Sequence, residues 1–151
     1  MQIHEVVAQH PDIQKLIAIH RAFCDAVSPE TACFAVTTDS PELDRFRYWL
    51  AMGNEKAIGC IGLNCLDDTH GEVKTMHVLQ EARGTGAGDA LIEHLVAQAR
   101  RSGLARLSLE TGTSEDFAPS RRLYERHGFE ACAPLAEYKE HPFSHFMTLA
   151  L

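Results

Sequence analysis

The most constraining feature of the chain is a glycine-rich segment that leaves a predicted strand and enters a predicted helix. Residues 78–88 read VLQEARGTGAG, and apolar residues recur at helical spacing over the following positions. Glycine adopts positive φ without steric cost and lets a ligand approach the main chain closely. Consecutive amides at a helix N-terminus bind anions. The segment therefore predicts a cradle for a phosphate or pyrophosphate group.

Two common phosphate-binding motifs do not match this segment. A P-loop has a lysine and then a serine or threonine after its last glycine, whereas Asp89 follows Gly88 here. A dinucleotide-binding fingerprint has a third glycine where Asp89 stands, and it belongs to a parallel βαβ unit. The strands predicted before this segment are antiparallel. A nucleotide-binding module is therefore the weaker interpretation of the loop.

The remaining segments predict an α+β fold with a mixed, mostly antiparallel twisted sheet of about seven strands flanked by helices. Three strands joined by short turns form a meander before the glycine-rich segment. No repeat or linker divides the chain, so residues 1–151 are predicted to form one domain. The predicted strands cover residues 3–7, 46–52, 57–66, 72–78, 104–110, 129–135 and 145–151.

Two helices are predicted before the meander along the chain, and two after it. The first follows an apolar stripe and has Asp12 as its predicted N-cap. The second starts at Ser28, since Pro29 suits a first helical turn. The predicted helices cover residues 12–27, 28–36, 119–127 and the stretch between the glycine-rich segment and Ser102.

Composition excludes several classes of protein. Fourteen Lys and Arg residues oppose 21 Asp and Glu residues, for a net charge of −7, which argues against binding to nucleic acid. No run of 18 apolar residues predicts a membrane span, and the N-terminus lacks the features of a signal peptide. The five cysteines contain no C-x-x-C pair. We therefore predict a cytoplasmic protein with reduced thiols that binds neither nucleic acid nor membranes.

The glycine-rich segment resembles a family motif. Residues 83–88, Arg-Gly-Thr-Gly-Ala-Gly, are similar to the acyl-CoA motif Q/R-x-x-G-x-G/A of GNAT superfamily N-acetyltransferases. Val78 occupies the usual apolar position at the strand end, and Gln80 stands where many members have proline. Residues 108–112 and 144–147 resemble a subgroup of small bacterial acetyltransferases.

A second stretch, residues 117–129, resembles the family pattern N-x-x-A-x-x-L-Y-x-x-x-G-F. The matching positions are Leu123, Tyr124, Gly128 and Phe129. Phe117 replaces the usual Asn and Ser120 the usual Ala, so the resemblance does not imply an Asn contact to the pantetheine arm. Arg121 and Arg122 either meet CoA phosphates or form an exposed helix face.

The resemblance implies that acetyl-CoA is the acetyl donor and that it lies between the strand ending at Val78 and the strand ending at Glu110. Main-chain groups of Met76, His77 and Val78 would bind the pantetheine arm, and the Val78 amide would polarise the thioester carbonyl. The remaining implied CoA contacts lie on the loop, the helix start and the second motif: Arg83, Gly84, Thr85, Gly86, Ala87, Gly88, Asp89 and Ser120.

The implied chemistry is attack of an amine on a thioester. A free amine with a pKa near ~10.4 is mostly protonated at pH 7, so a base is required. The position of Glu72 matches the general base of the histone-acetylating branch of the family. Glu110 is the rival, as the base or as a contact of the substrate ammonium. Tyr124 occupies the family's position for the acid that protonates the leaving thiolate, and His77 is either a proton shuttle or a packed strand histidine.

The acceptor is expected to be a primary amine of a small molecule that attacks directly in a ternary complex. Candidate acceptor contacts are Glu30, Glu110, Glu137 and Tyr138. No metal is predicted, because Pro142 argues against a helix that would align His141 with His145. A protein or peptide amine is the alternative acceptor, and a non-catalytic acyl-CoA sensor is the alternative function. The family resemblance also implies a homodimer.

Overall fold

The computed structural model describes residues 1–29 and 34–151 and contains a single seven-stranded sheet. Its spatial order is β1-β2-β3-β4-β5-β7-β6, and of the described strand pairs β4 and β5 alone are parallel. The strands are β1 (Gln2–Val6), β2 (Arg47–Gly53), β3 (Lys56–Cys65), β4 (His70–Val78), β5 (Arg106–Gly112), β6 (Glu130–Ala131) and β7 (Ser144–Ala150). The predicted mixed, mostly antiparallel sheet is therefore confirmed.

Three helices cover the two faces of this sheet. They are α1 (Pro11–Val27), α2 (Ala87–Arg101) and α3 (Ala118–Arg126), and single 3₁₀ turns occur at Leu43–Arg45, Gln80–Ala82 and Glu115–Phe117. Alternate residues of β2 face opposite sides, as a strand requires. Trp49 packs in the core with α2 and α3, whereas Tyr48 packs in a second core with α1. The sheet therefore separates two apolar cores.

The parallel pair β4–β5 opens into a cleft. The two strands are in register from His70 opposite Arg106 to Glu72 opposite Ser108, and their pairing stops there. Beyond this point β4 pairs with β3 alone and β5 with β7 alone. A bulge in the β3–β4 ladder accompanies the opening, and Thr75 has a φ of 51° within it. The carboxyl-terminal halves of β4 and β5 therefore diverge and leave room for a ligand.

Several predicted boundaries are wrong. His10, not Asp12, is the N-cap of α1: its ring Nδ1 accepts a hydrogen bond from the Asp12 amide at 3.2 Å. The strand predicted over residues 129–135 covers only Glu130–Ala131, although the Cys132 amide still donates to the Phe146 carbonyl at 2.9 Å. Pro134 cannot donate to a ladder, so it prevents the strand from reaching residue 135. The strand predicted to end at Glu110 extends to Gly112.

The helix predicted over residues 28–36 does not reach its expected end. Residues 34–37 have no helical structure, and the part of this prediction on residues 30–33 lies outside the described residues. Within the described parts of the chain, no helix combines the length and apolar character needed to cross a membrane.

Candidate functional site

The cleft between β4 and β5 holds a cavity of about 600 Å³. Its walls come from α1, β4, the glycine loop, the start of α2, the end of β5, α3 and the residue Tyr138. Most of the residues that the sequence predicts to bind CoA or to act in catalysis lie along it. We call the side near the glycine loop, residues 80–86, the donor end, and the side near Glu72 and Glu110 the acceptor end.

Two glycines shape the donor end. Gly84 and Gly86 have φ values of 79° and 89°, a conformation that side-chain-bearing residues rarely adopt. A Cβ added at either position would meet no other atom within 4 Å, so the backbone conformation and not a lack of space requires glycine. The same openness leaves the main chain of the loop accessible to a ligand.

The start of α2 offers unsatisfied amides to the donor end. Its N-cap, Gly86, provides no side-chain cap, and the first hydrogen bond into the helix runs from the Ala90 amide to the Gly86 carbonyl at 3.0 Å. The amides before Ala90 therefore have no intrahelical acceptor, and the helix dipole adds partial positive charge there. This arrangement suits a phosphate group.

The arginines near the donor end have different functions. Arg83, Arg122 and Arg126 contribute to the cavity wall. Arg121 instead donates from Nη1 to the carbonyls of Gly112 at 2.6 Å and Ser114 at 2.9 Å. It therefore fixes the connection between β5 and α3, and this is neither of the two functions considered from the sequence.

Asp89 is paired within the protein. Its Oδ1 lies 3.1 Å from Arg126 Nη2 and 2.8 Å from His127 Nε2. The His127 hydrogen bond is the main cause of the lowered pKa of Asp89, and the Arg126 contact adds to it. The carboxylate at this helix start therefore has protein partners on α3, which offsets its repulsion of a bound phosphate.

The last residues of β4 turn one amide toward the cleft. The Leu79 amide donates to the Ile58 carbonyl at 2.9 Å, on the β3 side. Because amides of successive strand residues point to opposite edges, the Val78 amide faces the cleft. Arg83 Nε donates to the Val78 carbonyl at 3.3 Å from that same side. The Val78 peptide group therefore faces the cleft, and its contact with a thioester stays a prediction.

Tyr124 also lies in the cavity wall. The side chain is 5% exposed and packs with Phe129 at a ring-centroid distance of 5.7 Å. Burial raises the pKa of Tyr124 above its usual range, with smaller contributions from Glu110 and Cys24. The phenol therefore stays protonated at neutral pH and is able to donate a hydrogen bond.

A hydrogen-bonded group of three side chains forms one wall of the acceptor end. Tyr138 OH donates to Glu72 Oε2 at 2.7 Å, and Lys74 Nζ donates to Tyr138 OH at 3.0 Å. Lys74 Nζ also lies 3.8 Å from Glu72 Oε2, and Asn64 Nδ2 donates to Glu72 Oε1 at 3.1 Å. Glu72 is 4% exposed, and both of its oxygens already accept hydrogen bonds from the protein.

Glu110 lies on β5 at the same end and has a different environment. Burial raises its pKa to about 7, while the Ser144 hydroxyl and the Lys74 charge oppose this shift and the Glu72 carboxylate adds to it. A carboxyl group with a pKa near neutrality is half ionised at working pH, which suits a general base. The raised pKa therefore makes Glu110 a candidate for proton transfer.

His77 belongs to a second polar group in the cavity wall. Its Nδ1 lies 3.0 Å from Nδ1 of His20, and His20 Nε2 lies 3.6 Å from Cys24 Sγ. Burial lowers the pKa of His20 to about 3 and that of His77 to about 4, so both rings are neutral at pH 7. Phe23 packs edge-on against His77.

The structure does not bring every predicted residue to the cavity. Glu137 is exposed and outside the wall, and Thr85 is exposed with its Oγ1 donating to the Ala82 carbonyl at 2.6 Å. Ser120 is part of the wall. Glu30 lies outside the described residues. Across residues 1–29 and 34–151, no three His, Cys, Asp or Glu side chains are grouped as metal ligands.

Sequence reasoning missed Lys74 and His20. Lys74 is two residues after Glu72 on the same strand, so the alternation of strand side chains was a usable signal. His20 is one of the residues in the apolar stripe of α1, and no local pattern distinguishes it from a packed histidine.

The fold combines an open mixed sheet, in which β4 and β5 diverge, with a helix, α2, that follows a glycine-rich loop and has no side-chain cap. This is the architecture of an acyl-CoA-dependent acyltransferase. The chain belongs to the acetyltransferase (GNAT) family, whose model matches residues 14–129. This confirms the resemblance seen in the sequence and identifies the protein as an acyltransferase enzyme.

Individual relatives agree with this assignment. The uncharacterized N-acetyltransferase YsnE of Bacillus subtilis is 34% identical over 139 residues, which cover 92% of each chain. A candidate acyl-CoA N-acyltransferase from Klebsiella pneumoniae has a similar structure, with a TM-score of 0.83, 24% identity and coverage of 99% and 97%. A GNAT family acetyltransferase from Elizabethkingia anophelis, solved with acetyl-CoA bound, has a TM-score of 0.74 at 21% identity, with coverage of 99% and 97%.

Proposed function

We propose that the protein transfers the acetyl group of acetyl-CoA to a primary amine of a small molecule, by direct attack in a ternary complex. The observation that carries the proposal is one continuous cavity whose wall includes the glycine loop, Tyr124 and the carboxyl groups of the acceptor end. Donor and acceptor therefore have separate sites that meet inside one cleft.

The residues of the donor end fit acetyl-CoA. The amides at the start of α2 and the wall arginines suit its pyrophosphate, and the Val78 amide suits its thioester carbonyl. The similar Elizabethkingia anophelis structure contains acetyl-CoA, which supports the same donor here. When bound, acetyl-CoA supplies an activated carbonyl and a thiolate leaving group.

Two side chains handle the protons. Glu110 accepts the proton of the incoming ammonium, because its raised pKa of about 7 gives it enough basicity at neutral pH. Tyr124 donates a hydrogen bond to the leaving sulfur. Its raised pKa makes full proton transfer to a thiolate unfavourable, since a thiol has a pKa near ~8.5.

Glu72 remains the competing base. The sequence favours it by its family position, whereas its hydrogen bonds to Asn64 and Tyr138 favour a positioning role. In that role Glu72 holds Lys74 and Tyr138 in place, and Glu110 faces the acceptor.

Ligand-dependent melting tests the donor half of the proposal. A ligand that binds only the folded protein at a hundredfold excess over its Kd adds about 2.7 kcal/mol of stability. We expect acetyl-CoA and CoA to raise Tm, and ATP and NAD to leave it unchanged. A rise with ATP or NAD but with neither CoA species would contradict the proposal.

Turnover tests the acceptor half. We expect a panel of primary amines to release free CoA thiol from acetyl-CoA, with acetylated product detected by mass. Binding of acetyl-CoA without turnover of any small amine, together with acetylation of peptide amines, would select the peptide alternative.

A further inference from the structure

We propose that the acceptor is a primary amine that carries an apolar body and no carboxylate, and that Lys74 excludes carboxylated amines because its ammonium is already hydrogen-bonded to Tyr138 and Phe34 and ion-paired with Glu72. This inference rests on the proposed function and specifies its substrate class. It separates simple amines from amino acids, which both present a primary amine to the same cleft.

The ammonium of Lys74 is engaged by the protein. Three acceptors surround Lys74 Nζ, two at hydrogen-bond distance and one at ion-pair distance. They are Tyr138 OH at 3.0 Å, the Phe34 carbonyl at 3.3 Å and Glu72 Oε2 at 3.8 Å. A substrate carboxylate at this end would have to displace one of these protein partners, and the displaced group would be left buried without a donor.

Apart from Lys74, the positively charged side chains of the cavity wall lie at the donor end. Of the described residues in the cavity wall, the remaining lysines and arginines are Arg83 on the glycine loop and Arg122 and Arg126 on α3. These belong to the donor end. The undescribed residues 30–33 read Glu-Thr-Ala-Cys, so they add no positive charge. Apart from Lys74, no lysine or arginine of the described wall residues therefore lies at the acceptor end to pair with a substrate carboxylate.

The charges of the acceptor end are nearly balanced. Lys74 and Glu72 neutralise each other, and Glu110 has no ion-pair partner among the described residues. An incoming alkylammonium balances an ionised Glu110. An amino acid adds a second negative charge beside two carboxyl groups, and like charges at close range in a buried site are unfavourable. The neutral rings of His20 and His77 do not compensate for that charge.

An aromatic pair in the cavity wall offers a contact for the body of the acceptor. Phe34 and Tyr138 both contribute to the wall, and their rings meet edge-to-face at a centroid distance of 5.1 Å. Such a pair presents apolar surface to a ligand and favours an aliphatic or aromatic body over a polar one.

The test uses pairs of compounds that share one body and differ in the carboxylate: phenethylamine with phenylalanine, tyramine with tyrosine, and tryptamine with tryptophan. We measure kcat/KM at saturating acetyl-CoA from thiol release and product mass. We expect each amine to exceed its amino acid at least 100-fold, and phenethylamine to exceed ethanolamine at least tenfold.

A substitution tests the cause of the discrimination. Tyr138→Phe removes the hydroxyl that accepts from Lys74 and keeps the ring, so one ammonium donor becomes free. We expect the preference for the amine to fall below tenfold in this variant. Tyr48→Phe is the matched control, because it deletes a buried tyrosine hydroxyl on β2 that has no hydrogen-bond partner within the described residues. We expect the 100-fold ratio to persist in the control.

Failure of this inference is distinct from failure of the proposed function. Equal or faster acetylation of any amino acid of the three pairs overturns the inference, as does a folded Tyr138→Phe variant that keeps the full ratio. Turnover of none of these compounds, while acetyl-CoA still raises Tm, also overturns it and leaves donor binding intact. Absence of any acetyl-CoA effect on Tm overturns the proposed function itself.

Discussion

The two ends of the cleft are built from different parts of the chain. The main-chain part of the donor end comes from one continuous segment, residues 78–89, and arginines of α3 complete its wall. The acceptor end combines side chains from Phe34, Glu72, Lys74, Glu110 and Tyr138, which lie on four separate segments. A main-chain site needs only a local backbone conformation, whereas a side-chain site needs the tertiary fold to bring its members together.

The two ends also differ electrostatically. The donor end is open, and its loop glycines are exposed to solvent. The acceptor end is largely buried, and burial raises the pKa of Glu110 to about 7. We therefore expect mutations at the donor end to change binding, and mutations at the acceptor end to change rate and pH dependence.

The largest expected effect is on the acceptor side. Glu110→Gln removes the proposed base, and general bases contribute about 10²- to 10⁴-fold in rate. We expect kcat/KM to fall at least about 100-fold and the rising limb of its pH profile near pH 7 to disappear, while acetyl-CoA affinity is kept. The measurement is the pH profile of kcat/KM from pH 5.5 to 9.

Glu72→Gln is the comparison variant for that experiment. It keeps the size of the side chain and a carbonyl oxygen for the Tyr138 hydrogen bond. If the limb near pH 7 disappears in Glu72→Gln and persists in Glu110→Gln, the base is Glu72.

The next largest effect is at the donor end. Gly86→Val forces a β-branched residue to a φ of 89° and places a side chain on the accessible face of the loop. Its matched control is Gly103→Val after α2, where φ is 80° and an added Cβ also meets no atom within 4 Å.

Both substitutions cost about 1–2 kcal/mol of backbone strain. We expect the Kd for acetyl-CoA, measured by calorimetry, to rise at least about 30-fold, or 2 kcal/mol, in Gly86→Val and less than twofold in Gly103→Val. A similar loss in both variants would show that strain and not the cradle is responsible.

A smaller effect is expected at Tyr124 in the cavity wall. Tyr124→Phe removes the hydrogen bond to the leaving sulfur and keeps the buried ring, so kcat should fall about 5- to 30-fold, or about 1–2 kcal/mol. The Kd for acetyl-CoA should change less than twofold. Single-turnover rates and calorimetry measure the two quantities, and an unchanged kcat would remove Tyr124 from the reaction.

The smallest effect is on stability. The ordinary pKa of Glu110 is 4.5 and its folded value is about 7, so the folded protein holds more protons between these values. Raising the pH through this window therefore destabilises the fold. The difference corresponds to about 3 kcal/mol, which partial exposure reduces to about 1–2 kcal/mol.

Glu110→Gln should remove this pH dependence. Urea unfolding at pH 5 and at pH 8.5 measures it. From pH 5 to pH 8.5, we expect the free energy of unfolding of wild type to fall by about 1–2 kcal/mol more than that of the variant. Glu125→Gln, on the exposed side of α3, is the control and should show no gain. An equal gain in both variants would assign the effect to net charge.

Much of the fold was predictable because it depends on local patterns. Strand alternation and short turns predicted the β2–β3–β4 meander, and helical spacing predicted α2 from its apolar stripe. The errors lie where nonlocal or unusual local partners decide the structure. A histidine side chain caps α1, and Pro134 prevents β6 from extending to residue 135. Such effects change the ends of elements but not the type of fold.

The sequence by itself determined the donor end and the family, because positive φ at Gly84 and Gly86 and a helix that starts without a cap are properties of a short segment. Only the tertiary structure decided the acceptor end. It brought Tyr138 and Lys74 onto Glu72, left Glu110 partly buried with a raised pKa, and placed Glu137 outside the cavity. Burial and pairing are relations between distant residues, so their effect on a carboxyl group follows from the folded chain.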